Sequence, residues 1–238
     1  MSKTRSKRPV ETLIVLGVIL TGLLGLVSFI WSNTMDQEVA PNINLPVPRT
    51  EGAVSIESTL LKRRSVREFQ DGPLSLESVS QLLWSAQGIT DPHGYRTAPS
   101  AGGLYPLELY IVVGNVQGLN PGIYHYRPKQ HRLDLIVNGD FRRELCKASL
   151  SQEAIQQAPV VFVIFCVFER TTVKYRDRGV RYVFMEAGHA AQNLSLQAIS
   201  LGLGSVTIGA FSDNEVARIL KTDKGYAPIY IIPVGMAY

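Results

Sequence analysis

The sequence predicts an α+β domain, and three observations carry that prediction. Helical and strand-like stretches are mixed along the 238 residues without strict strand–helix–strand alternation. Val160 to Phe168 is apolar at every position, the pattern of a central strand buried on both faces. Arg181 to Leu201 reads as one long helix, ended by Gly202. A composition of 45% hydrophobic and 18% charged residues allows one sizeable domain, alone or with an appendage.

Taken in order, residues 1–12 form a basic tail, expected to be cytoplasmic, in which Lys3, Arg5, Lys7 and Arg8 precede the first acid, Glu11. Residues 13–31 carry no charge and, at about 1.5 Å per residue, suffice to cross a bilayer as a helix. With basic residues before this stretch and Asp36 and Glu38 after it, the positive-inside rule predicts a single-pass membrane anchor and an extracytoplasmic body. A cleaved signal peptide, leaving a secreted or periplasmic protein, is the competitor, but no small-x-small cleavage site follows Trp31. Residues 32–54, with Pro41, Pro46 and Pro48, read as an extended tether that in a dimer could also wrap a partner.

Residues 55–238 form the domain. Ile56 to Arg64 is a short helix. Ser75 caps a helix through Gln87, with Leu76, Val79, Leu82, Leu83 and Ala86 on one face and Gly88 as its stop. Thr97 to Pro106 is an aperiodic loop, and Leu107 to Val113 a strand. Gly122 to Tyr126 and Arg132 to Val137 form a hairpin. Asp140 caps a helix through Ser149. Ser205 to Phe211 and Pro228 to Gly235 are the last strands, with a helix from Asp213 to Leu220 between them.

Charge and cysteine content exclude several function classes. Setting aside the four cations of the tail leaves 20 Lys+Arg against 20 Asp+Glu, a neutral body without the electrostatic footprint of a nucleic-acid binder. Cys146 and Cys166 are the only cysteines, which rules out paired CxxC zinc sites and argues against a disulfide framework; Cys166, inside the apolar run, reads as a core thiol. Gly202-Leu203-Gly204 lacks the third glycine of a dinucleotide fingerprint and lies after a helix rather than a strand, so it reads as a tight turn. Glu186 and His189 match half of a di-iron signature, but no second copy exists, and no metal site is expected.

Four features remain. Arg63, Arg64, Ser65 and Arg67 crowd three guanidinium groups and a hydroxyl into five residues, which suits a phosphate; a solvated basic turn is the alternative. Pro99-Ser100-Ala101-Gly102-Gly103 is rich in small residues that let backbone N–H and C=O groups approach a ligand edge such as that of an isoalloxazine, or it is simply a flexible loop. Lys174-Tyr175, with Arg176 and Arg178 nearby, is a candidate proton donor or acceptor, or a solvated charged loop. Glu186, His189, Gln192 and Asn193 form a polar stripe on the long helix that is either solvated, part of a subunit interface, or matched by a cofactor.

Arg63-Arg64-Ser65-Val66-Arg67-Glu68-Phe69, then Pro99 to Tyr110, then Glu186 to Asn193, then Gly202-Leu203-Gly204 resemble, in this order, the SagB-type (thiazole/oxazole oxidase) branch of the FMN-dependent nitroreductase superfamily over about residues 55–237. The resemblance implies a three-layer α+β fold with a central mixed, mainly antiparallel sheet, and an obligate homodimer with FMN at two interface sites. It implies FMN contacts from Arg63, Ser65 and Arg67, with Arg64 among them: the first arginine and the serine toward phosphate and ribityl, Arg67 near the N1/O2 edge of the ring. Pro99, Ser100, Ala101 and Gly103 would line the flavin from the other subunit, and Gly209 and Ala210 would lie near N5. Lys174 and Tyr175 match the pair that azoline-oxidising members use for proton removal. The sequence ends at Tyr238, before basic residues that nitroreductases often add for the phosphate, so the resemblance implies that more of that load falls on Arg63 and Arg64, or on a further residue that the motifs do not identify. The implied activity is hydride transfer through flavin N5 on a small-molecule or peptide substrate, with NAD(P)H or a quinone as redox partner. The rival is a flavin-fold binding or scaffold protein without catalysis.

Overall fold

The computed structural model describes residues 42–238. In chain order these form β1 (Asn42–Asn44), α1 (Ile56–Lys62), α2 (Leu76–Gln87), a 3-10 turn (Ala101–Gly103), β2 (Leu107–Val113), β3 (Gly122–Arg127) and β4 (Arg132–Asn138). There follow α3 (Arg142–Ala148), α4 (Glu153–Gln157), β5 (Val160–Val167), α5 (Glu169–Tyr175), α6 (Arg178–Ser200), β6 (Leu203–Ser205), α7 (Asp213–Leu220) and β7 (Tyr226–Met236). The strands form one seven-stranded sheet in the order β1-β4-β3-β2-β5-β7-β6. Every strand pair is antiparallel, which corrects the expected mixed sheet; parallel pairing is confined to isolated bridges such as Ser65 with Ser205.

The central strand explains the layering. In β5, Val160, Phe162, Ile164 and Cys166 join the core under α2 and α6, while Val161, Val163 and Phe165 join a second core under α3, α4 and α7. Alternation with period two therefore feeds both faces, and each fully buried side chain of this size contributes about 1.5–3 kcal/mol. Burial also pushes the Cys166 thiol up to about 12, as expected of a core residue.

Local chemistry sets the helix ends. Ser75 Oγ accepts the Ser78 N–H at 3.1 Å and starts α2. Gly88 stops that helix with φ −66°, so left-handed backbone is not the reason for glycine there; a Cβ would lie 2.1 Å from Trp84 Cδ1. Asp140 Oδ1 accepts the Arg142 N–H at 3.1 Å, although the helix it serves begins only at Arg142. The helices α4 and α5, of five and seven residues, are too short to show periodicity in sequence. The expected strand from Ser205 to Phe211 is interrupted: β6 ends at Ser205, Val206 turns into the second core, and Ile208 rejoins β7 through a single bridge to Ile231.

Two expectations about the N-terminal region change. Within the supposed tether, Asn42–Asn44 pair with β4, the Pro46 carbonyl accepts from Ser80 Oγ at 2.6 Å, and the Gln81 amide holds the Arg49 N–H and C=O at 2.8 and 3.0 Å. That stretch is stitched to the domain rather than extended away from it. The membrane-anchored, extracytoplasmic location is also corrected: among the described residues no helix is long and apolar enough to cross a membrane. The stretch 13–31, on which that expectation fell, lies outside the described residues.

Candidate active site

The Arg63–Phe69 segment is seated on the sheet by two glycines. Gly204 and Gly235 are register partners in β6 and β7. A Cβ on Gly204 would lie 2.7 Å from Val66 Cβ, and one on Gly235 would lie 2.7 Å from Phe69 Cγ. The absence of those two side chains makes the space that Val66 and Phe69 fill. The Val66 N–H donates to the Ser205 carbonyl at 2.9 Å, and the Gln70 N–H to the Met236 carbonyl at 2.9 Å, fixing both ends of the segment. With Val66 turned onto the sheet, Ser65 and Arg67 are exposed and Arg63 is half-buried. No carboxylate pairs with Arg63, Ser65 or Arg67 among the described residues. Arg64 differs: its Nη1 donates to the carbonyls of Leu61 and Arg63 at 3.2 and 2.7 Å, so it covers the C-terminal end of α1. Past Ser205 the chain reaches Gly209 and Ala210, both exposed, with the Ala210 carbonyl held by Gln152 Nε2 at 3.1 Å.

A second group forms around Pro99–Gly103. Gly102 has φ +67°, and a Cβ there would lie 2.8 Å from the Tyr175 hydroxyl and 3.0 Å from Lys174 Nζ. The loop and the Lys174–Tyr175 pair, separate in sequence, are therefore in contact. Tyr175 is held edge-to-face against Tyr182, centroids 5.1 Å apart, and Lys174 Nζ sits 5.4 Å from the Tyr175 ring centroid. Ser100 Oγ accepts the Tyr105 N–H at 2.9 Å, and the Arg96 guanidinium lies 4.4 Å from the centre of the Tyr105 ring. Pro99 is exposed, Ala101 half-buried and Gly103 exposed, leaving backbone along the loop accessible.

The polar stripe of α6 divides. His189 and Gln192 are exposed, whereas Glu186 is buried and Asn193 Nδ2 donates to the Thr97 carbonyl at 3.2 Å, anchoring the start of the loop. Behind the loop lies a network that sequence reading missed. Glu108 Oε2 is 2.7 Å from His125 Nε2, and Glu108 Oε1 accepts from Arg170 Nη2 at 2.5 Å. Arg170 Nη1 also donates to the Tyr105 carbonyl at 3.2 Å. Burial would raise the Glu108 pKa, but hydrogen bonds from His125 and Arg170 outweigh it and hold the carboxyl below its ordinary value. Three residues 17 and 62 positions apart carry no sequence signal of this kind.

The two groups do not share a cavity. Tyr175 ends α5 two residues before α6 begins and Ser205 follows α6, whose 23 residues span about 34 Å at about 1.5 Å per residue, while the start of the loop is held at Asn193 between those ends. A cleft of about 430 Å³ lies between residues 49–54, α1, α2 and α6; Thr97 and Asn193 line it, but Arg63, Ser65, Arg67, Pro99–Gly103, Lys174 and Tyr175 do not.

The fold is thus a helix-covered antiparallel sheet that leaves an arginine-rich segment exposed past the C-terminal end of its longest helix and a small-residue loop that runs from Asn193 of that helix to Tyr175 before it. A sequence profile of the nitroreductase family matches residues 60–236. The chain belongs to the nitroreductase family. A protein of Methanocaldococcus jannaschii assigned to the nitroreductases is 49% identical over 182 residues, covering 76% of this chain and 91% of its own length. The trifolitoxin-processing protein TfxB of Rhizobium leguminosarum bv. trifolii is 33% identical over 172 residues, 63% of this chain and 44% of that protein. An FMN reductase of Bacillus subtilis is 24% identical over 192 residues, 74% of this chain and 64% of that protein. A solved nitroreductase-type structure from Ralstonia eutropha superposes with TM-score 0.74 at 30% identity, covering 84% of this chain and 91% of that one.

Proposed function

We propose that this nitroreductase-family oxidoreductase works as an FMN-dependent homodimer. The observation that carries the reading is that the Arg63–Arg67 segment, bridged to Ser205 past the C-terminal end of α6, and the contact of Gly102 with Lys174 and Tyr175, before its N-terminal end, are separated by that helix, a span greater than one FMN. A two-fold pairing that runs the helices antiparallel would bring the Arg63–Arg67 segment of one copy to the Pro99–Gly103 loop of the other, twice. Exposed apolar residues support such pairing: Leu61 is 73% exposed on α1, and Phe184 and Met185 are 50% and 53% exposed on α6.

The residues present fit FMN. Arg63 and Ser65 supply donors, unpaired among the described residues, for its phosphate and ribityl hydroxyls, and Arg67 a cation for the polar edge of the ring. Gly209 and Ala210 offer exposed backbone four and five residues past Ser205, to which Ser65 is bridged. Pro99, Ser100, Ala101 and Gly103 offer it from the other subunit. Bound there, FMN supplies hydride transfer through N5. The protein's own part is to orient substrate against the ring and to move a proton at the Tyr175 hydroxyl, with the Lys174 ammonium near its ring. NAD(P)H or a quinone fits as redox partner, and a small molecule or a peptide as substrate. The likeness to a trifolitoxin-processing protein, together with Lys174-Tyr175, favours the SagB-type branch and a peptide.

A visible spectrum of the purified chain tests this. A flavin absorbance band after addition of FMN is expected. Its absence would overturn the flavoenzyme reading and leave a binding or scaffold protein.

A further inference from the structure

A smaller pocket, of about 180 Å³, opens between the C-terminal end of α2, the chain before the small-residue loop and the β3–β4 turn. Gln87, Arg96, Glu108, Tyr126, Arg127 and Lys129 are on its wall, and none of them is among the residues read above as FMN contacts. Its hydrogen bonding is unbalanced. Arg96 Nη1 donates to Gln87 Oε1 at 2.7 Å. That contact fixes the amide orientation, because the reverse would set an N–H group against the guanidinium. Gln87 is 1% exposed, yet its Nε2 has no hydrogen-bond partner among the described residues, and neither has Arg96 Nε, also shielded from solvent. Two shielded donors without acceptors, on side chains that touch each other, are costly.

Charge is unbalanced in the same direction. No carboxylate pairs with Arg96 among the described residues. Glu108, the acid on the pocket wall, gives one oxygen to His125 and the other to Arg170. Arg127 is matched by Asp134 at 2.6 Å, and Lys129, exposed on the turn, adds a further cation. Burial pulls the Arg96 guanidinium below its ordinary value, with Glu108 and Glu186 acting the other way without touching it. The Arg96 guanidinium carbon lies 4.4 Å from the centre of the Tyr105 ring, so the ring covers a face of the guanidinium and leaves its in-plane edge for a partner.

We infer that this pocket is an anion site for a small carboxylate, held by the Nε edge of Arg96 and the Gln87 amide N–H groups. The planar pair of carboxylate oxygens matches a guanidinium edge bidentately, and the ligand charge would compensate the half-buried cation. The pocket is smaller than the roughly 300–1,000 Å³ of sites for drug-sized ligands, so the ligand carries few atoms beyond its carboxylate. The site is separate from the arginine segment and does not depend on the flavin reading.

Thermal unfolding of the full chain tests this, with sodium acetate replacing sodium chloride at constant ionic strength and pH 7. Wild type should show a saturable rise of the midpoint, about 3–6 °C at acetate about tenfold above its Kd. Gln87→Glu, close to isosteric, places a carboxylate beside Arg96 and removes a donor; its midpoint should not respond to acetate. Arg96→Lys keeps the charge without the planar edge and should weaken acetate about tenfold or more. Arg63→Ala should respond as wild type does. Absence of a saturable rise in wild type, or an undiminished rise in Gln87→Glu, would overturn the site. Loss of the response in Arg63→Ala would place the anion on the arginine segment and overturn it equally. Inorganic phosphate should raise the midpoint less than acetate in the Arg63→Ala chain; a larger rise there would overturn the choice of a carboxylate.

Discussion

Gly204→Ala is the sharpest perturbation of the arginine segment, because its effect is purely steric. The added methyl would sit 2.7, 2.8 and 2.9 Å from Val66 Cβ, Cγ1 and Cγ2. Carbon atoms pack at about 3.5–4.0 Å, so Val66 must retreat by about 1 Å. It has little freedom to do so: a β-branched side chain has few rotamers, and its backbone N–H is bonded to Ser205 at 2.9 Å. Overpacking of this kind costs about 1–3 kcal/mol. For a chain this size that lowers the thermal midpoint by about 2–4 °C per kcal/mol. Displacing Arg63 and Ser65 also loses charge-assisted hydrogen bonds to an anion, worth about 1.5–3 kcal/mol, or at least about tenfold in FMN affinity. Thermal unfolding and FMN titration read the two effects separately. An unchanged midpoint together with unchanged FMN affinity would refute the seating of this segment on the glycine pair.

Arg63→Ala should weaken FMN binding by about tenfold or more, and Arg64→Ala by much less, since Arg64 already covers the end of α1; equal losses in a titration would count against this division. Tyr175→Phe should keep FMN, seen in the visible spectrum, while slowing substrate turnover by about 10²–10⁴-fold; wild-type turnover would remove Tyr175 from proton transfer. Glu108 is held below its ordinary 4.5, so its contribution is present above that pH and is lost as pH falls through its folded value; in acid titrations followed by circular dichroism, Glu108→Gln should flatten that loss.

Much of the fold is legible in the sequence where one element decides its own fate. The unbroken apolar run at Val160 needs two covered faces and obtains them, and Ser75 caps α2 through its own hydroxyl. The residues of the candidate site are legible as types: a cluster of guanidinium groups, a small-residue loop, a Lys–Tyr pair. What they touch is not. Glu186 and His189 share one helical stripe in sequence, yet one is buried and the other faces solvent, because only tertiary packing distinguishes the two positions. Gly204 reads as a turn glycine until Val66 is seen filling the place of its side chain.

Sequence alone determined the α+β class, the neutral body and the chemical character of Arg63–Arg67 and Lys174–Tyr175, since periodicity, charge and side-chain chemistry are local properties. Tertiary structure decided that Asn42–Arg49 is stitched to the domain, that the sheet is antiparallel throughout, and that the loop meets Tyr175. It also decided that the arginine segment lies at the far end of a 23-residue helix. Those are distances between residues remote in the chain, fixed by how strands pair and helices pack, and no local pattern encodes them.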